Sequence, residues 1–84
     1  MFNILIVEDD YELRHLFQRV LIQNGYSVRG VEDGKAALET LEKEYADLII
    51  SDIMMPVMDG YELVRVLRES GIQTPVLMNW RIWR

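Results

Sequence analysis

Two short runs of the chain are apolar at every position, Ile4-Leu5-Ile6-Val7 and Leu48-Ile49-Ile50. A strand buried on both faces of a parallel sheet has this pattern. A third segment, Tyr26-Ser27-Val28-Arg29-Gly30-Val31, alternates and suits an edge strand; a fourth run, Val76-Leu77-Met78, follows Pro75. Between these runs the period changes. Leu13, Leu16, Phe17, Val20 and Leu21 recur at helical spacing and form one apolar stripe. Ala37, Leu38 and Leu41 give a second helix its inner face, and Leu63, Val64 and Leu67 carry a third. The punctuation agrees. Asp10 can cap the first helix and Asn24-Gly25 can end it, and Asp33-Gly34 opens the second. Asp59 and Glu62 have capping-box spacing at the start of the third helix, with Asp59 as the cap, and Ser70-Gly71 closes it.

The resulting order is β-α-β-α-β-α-β with short connections, which predicts a parallel sheet wound by right-handed crossovers. Placing the alternating strand at an edge and the continuous runs inside gives the order 2-1-3-4. The winding then reverses between the first and third strands. Open sheets of this kind bind ligands at the strand C-termini where that reversal occurs.

Composition narrows the possibilities. At 84 residues, half of them apolar and 27% charged, the chain is one globular domain at most. A net charge of −5 argues against direct nucleic-acid binding, which needs a basic face. There is no cysteine, hence no disulfide or thiolate chemistry, which suits a cytoplasmic setting. The first apolar run is only four residues long and meets Glu8-Asp9-Asp10 at once, too short for a signal peptide or a membrane span. Neither a G-x-G-x-x-G nor a Walker loop supports nucleotide binding.

The topology puts chemistry where the sequence separates it. Glu8 and Asp9 lie at the C-terminal end of the first strand, and Asp52 stands two residues beyond the third. At ~4 Å and an effective dielectric near 20, each close pair of negative charges repels by about 4 kcal/mol. Such a set requires protons or a cation, and hard oxygen donors that leave room for water and a phosphate suit Mg²⁺. A carboxylate beside such a cation can act as a nucleophile toward phosphorus, forming an aspartyl phosphate. Structural roles compete with this reading. Asp9 can equally be a helix cap, Asp10 and Asp59 read as caps, and a lone Asp after a strand is commonly a loop residue. His15, between Arg14 and Leu16, reads as a surface histidine, and Met54, Met55 and Met58 read as loop packing.

Three stretches carry a family resemblance: Ile4 to Asp10, Asp47-Leu-Ile-Ile-Ser-Asp52-Ile-Met-Met-Pro56-Val-Met-Asp-Gly60-Tyr-Glu-Leu63, and Thr74 to Met78. Together they resemble the response-regulator receiver domain of two-component signalling, most closely receivers that precede winged-helix DNA-binding domains. The resemblance implies a flavodoxin-like, doubly wound α/β fold. It implies that Asp52 takes a phosphoryl group from a sensor histidine kinase. Glu8 and Asp9 would hold Mg²⁺ with Asp52, and the backbone carbonyl of Met54 would add a ligand. Pro56 and Gly60 would shape the adjoining loop.

Two family features have no counterpart in this sequence. By spacing, Trp80 stands where the family has a Thr or Ser that contacts the phosphoryl group. The sequence also stops before the fifth strand and its Lys. The expectation is one incomplete receiver, with residues 1–78 receiver-like and 79–84 a divergent tail, lacking helix 4, strand 5 and helix 5. Phosphorylation would be impaired. The exposed edge of the fourth strand and residues 79–84 would favour a homodimer or higher association. The alternative function is an interaction module derived from a receiver. A metal-dependent phosphatase of similar topology is disfavoured, because its general-acid Asp would fall at Met54.

Overall fold

The computed structural model describes residues 1–55 and 58–79. Its elements follow the hydrophobic pattern closely: β1 (Asn3–Val7), α1 (Tyr11–Gln23), β2 (Ser27–Val31), α2 (Gly34–Leu41), β3 (Leu48–Asp52), α3 (Gly60–Glu69) and β4 (Val76–Asn79). All strand pairs are parallel, and the sheet order is β2-β1-β3-β4, as the alternating and continuous runs predicted.

Each helix starts on an aspartate whose Oδ1 accepts a backbone N–H from the first turn. Asp10 accepts from Leu13 at 3.0 Å, Asp33 from Ala36 at 2.8 Å and Asp59 from Glu62 at 2.8 Å. These bonds satisfy donors that a helix start otherwise leaves open. Gly25 and Gly71, just beyond the ends of α1 and α3, have φ of 92° and 82°, the left-handed conformation that glycine adopts without strain.

Two boundaries differ from the sequence reading. Tyr26 precedes β2 rather than starting it: its N–H still bonds to Leu21 O at the end of α1, and its ring packs edge-on against Phe2. Asp52 is the last residue of β3, not a loop residue two positions past it. The ladder to β4 continues through Ser51↔Met78 and Asp52↔Asn79, so pairing carries the strand beyond its apolar run.

The packed core lies on one side of the sheet. Leu5, Val7 and Ile49 point toward α2 and α3, where Ala37, Leu63 and Leu67 are fully buried and Met55 closes the end of the layer. Met54, by contrast, is exposed, so of the three loop methionines only Met55 and Met58 pack as expected. By strand alternation Ile4 and Ile6 face the other side, toward α1. That side is thinner. No residue of α1 is buried, and its apolar stripe lines an open groove with Ile50 and Leu77. Leu16 and Val20 remain 46% exposed and Leu77 57% exposed, so roughly half of each side chain stays in water.

β2 and β4 are the two edges of the sheet formed by the described residues. Trp80, the expected continuation of the strand to Arg84, and Pro56 lie outside the described residues. Among the described residues no helix is long and apolar enough to cross a membrane.

Candidate functional site

The C-terminal ends of parallel strands share one edge of the sheet, and that edge is where the acidic residues gather. Val7 of β1 is the register partner of Ser51 in β3, so Glu8 and Asp52 stand one step further along adjacent strands. The Glu8 N–H donates to Val31 O at 3.0 Å and extends the β1–β2 ladder by one bond. Its side-chain Oε2 accepts the Asp10 N–H at 3.0 Å. Asp52 Oδ1 accepts the Met54 N–H at 3.2 Å, which fixes the carboxylate and brings the Met54 peptide beside it.

Glu8, Asp9 and Asp52 each offer an oxygen, and these atoms all lie within 4.8 Å of one another. Glu8 and Asp52 are each only 1% exposed, while Asp9 is half-buried. Three carboxylates at that separation repel by about 3–4 kcal/mol per ionised pair at an effective dielectric near 20. The donor set is therefore all hard oxygen, convergent and largely dehydrated, which fits a small divalent cation that retains some water.

The ambiguity over Asp9 and Asp10 is resolved by geometry. Asp10 caps α1, and Asp9 joins the carboxylate group. Asp59 is a cap outside that group. His15 is exposed and packs its ring against Tyr11 at 4.2 Å.

Gly60 seats the start of α3 against the site. Its N–H donates to Ile53 O at 2.9 Å, and a Cβ there would lie 2.9 Å from both Asp52 O and Met78 Sδ. Only glycine allows this close approach. Arg14 was not singled out by its sequence context: from the first turn of α1 its Nη1 donates to Glu8 O at 2.8 Å. A charged residue on a polar helix face reads as solvated, and nothing in the spacing announces a contact back to a strand end.

The sequence and the fold resemble those of known proteins. The sequence matches the response regulator receiver domain family over residues 4–79. The chain belongs to that family. The transcriptional regulatory protein TctD of Salmonella typhimurium is 45% identical over 76 residues, which is 90% of this chain and 34% of that protein. The chain spans about a third of the length of the curated relatives it matches. The receiver domain of the Francisella response regulator 1452 superposes with a TM-score of 0.91 at 30% identity, covering 100% of this chain and 69% of that one. The Thermotoga maritima response regulator TrrA, solved in complex with Mg²⁺–BeF, superposes with a TM-score of 0.88 at 28% identity, covering 99% and 72%. This chain is thus receiver domain of a two-component response regulator in both sequence and fold.

Proposed function

We propose that this chain is a phosphoacceptor module in which Asp52 receives a phosphoryl group from a sensor histidine kinase. The observation that carries the reading is the position of Asp52: almost fully buried, at the end of a central strand, with its oxygen within 4.8 Å of those of Glu8 and Asp9. An Asp52 oxygen attacks phosphorus, the bond from phosphorus to the kinase imidazole nitrogen breaks, and the imidazole departs with that electron pair. The products are an aspartyl phosphate and a free histidine. Glu8, Asp9 and Asp52, with the Met54 carbonyl, would hold Mg²⁺, which supplies charge compensation between the carboxylate and the incoming phosphoryl oxygens. The Met54 N–H keeps the Asp52 carboxylate from rotating. In this role the chain is a signalling acceptor rather than an enzyme, in a cytoplasmic setting and without contacting nucleic acid itself. Regulation of transcription would belong to a longer protein, in keeping with the name of the transcriptional regulatory protein TctD.

Trp80 stands where the resemblance calls for a hydroxyl, and an indole cannot replace that group. Acceptance by this polypeptide is therefore slow and partial. Incubation with a small phosphodonor and Mg²⁺, followed by intact mass measurement, tests both points. The expected result is incomplete addition of one phosphoryl group that requires Mg²⁺ and disappears in Asp52→Ala. Addition that persists in Asp52→Ala removes Asp52 from the role. Rapid, near-complete addition overturns the impairment.

A second reading rests on the open groove of Leu16, Val20, Ile50 and Leu77. An apolar surface of that kind beside β4, an edge of the sheet among the described residues, favours association. The chain would then act as an interaction module, most simply a homodimer.

A further inference from the structure

The polar groups of Glu8 that have a described partner tie it to β2 and, twice, to the start of α1. The N–H bonds to Val31 O of β2 at 3.0 Å, Oε2 accepts from the Asp10 N–H at 3.0 Å, and the carbonyl accepts from Arg14 Nη1 at 2.8 Å. The first two ties use backbone N–H groups as donors, whereas the third comes from a side chain. Arg14 is itself held on both sides. Its backbone N–H bonds to Asp10 O at 2.9 Å in the first turn of α1, and its guanidinium lies 5.5 Å from the centre of the Tyr11 ring. His15 also packs against Tyr11, with ring centroids 4.2 Å apart.

We infer that Arg14 is a positioning residue for the acidic site: by bonding to the peptide between Glu8 and Asp9, it fixes the two carboxylates relative to each other and to α1. A side chain that spans six residues, from a helix to the carbonyl at a strand end, restricts the one peptide whose rotation would swing Glu8 and Asp9 apart. Arg14 also brings a positive charge toward a site that favours a cation. The two effects of Arg14 on Mg²⁺ affinity therefore have opposite signs. Loss of the charge alone tightens binding, and loss of the positioning bond weakens it. Groups that orient metal ligands commonly contribute 10- to 100-fold in affinity, so positioning is the larger effect.

This inference rests on the Mg²⁺ reading, and its test separates the two. The full chain and its Arg14→Ala and Arg14→Lys variants are titrated with Mg²⁺ by calorimetry. Amide hydrogen exchange is followed separately at Asp9 and Asp10 without metal. Arg14→Ala is expected to bind Mg²⁺ about tenfold more weakly. Its Asp9 and Asp10 amides exchange faster while those of α3 do not. Arg14→Lys, which keeps the charge and part of the reach, recovers some of the affinity.

Unchanged or tighter binding in a folded Arg14→Ala overturns the inference, as does unchanged exchange at Asp9 and Asp10. If Arg14→Ala does not fold, Arg14→Lys decides: wild-type affinity and exchange overturn the inference, and weaker binding with local loss of protection supports it. Failure of the unsubstituted chain to bind Mg²⁺ counts against the proposed function, and the exchange measurement then judges Arg14 by itself.

Discussion

At the scale of single residues, the site is a set of like charges that folding forces together. Asp52 and Glu8 are almost fully buried, yet both sit beside another carboxylate. Such sites are destabilised without a counter-charge, and the cost falls on the folded state. Asp52→Asn keeps an oxygen that can accept the Met54 N–H and removes one negative charge. It is expected to raise the unfolding free energy in metal-free buffer by on the order of 1–2 kcal/mol. Mg²⁺ at a hundredfold excess over Kd stabilises a single-site protein by about 2.7 kcal/mol, and that increment should shrink sharply in Asp52→Asn. Urea unfolding with and without Mg²⁺ measures both. An Asp52→Asn chain that is less stable without metal, or equally stabilised by it, contradicts this account.

Adjacent acids play different parts once the elements form. Asp10 belongs to α1, since its Oδ1 accepts the Leu13 N–H, and Asp9 belongs to the site. Asp10→Ala should therefore cost about 1 kcal/mol of stability through the lost cap. Asp9→Ala should cost little stability in metal-free buffer and most of the Mg²⁺ affinity. Paired denaturation and calorimetric titrations separate the two, and a reversal of the pattern would show that the roles are exchanged.

The helices also differ in how much they bury. Leu63 of α3 is fully buried in the core layer, whereas Leu16 of α1 is 46% exposed. Leu63→Ala is expected to cost about 2–5 kcal/mol and Leu16→Ala under about 1 kcal/mol. Equal losses in chemical denaturation would mean that α1 is covered in solution.

For the whole molecule, the uneven cover of the sheet matters most. One face carries the packed layer of α2 and α3, while the other has α1 and an apolar groove reaching Leu77 on the edge strand. A domain this small has little stability to spare, so burying that groove is favourable. The chain is expected to sediment as a dimer or larger species at micromolar concentration, and Leu16→Glu with Leu77→Glu should shift it toward monomer. A well-folded monomer at every concentration removes the association. Should the doubly substituted chain remain associated, another surface is responsible.

Much of this was already legible in the order of residues. Continuous apolar runs against an alternating one determined which strands lie inside, and aspartates before helical stripes determined where the helices start. Both signals are local, because burial on two faces and the capping of open N–H groups act over a few residues. The motif around Asp52 pointed to the receiver family for the same reason. Tertiary structure decided what depends on distant partners. It extended β3 through Asp52 by pairing with β4, separated Asp9 from Asp10, and left the α1 stripe half exposed, which helical periodicity alone does not decide. It also brought Arg14 to the Glu8 carbonyl. Periodicity records which side of an element is apolar, but whether another element covers that side, and which polar groups meet across it, depends on the packing of the whole chain.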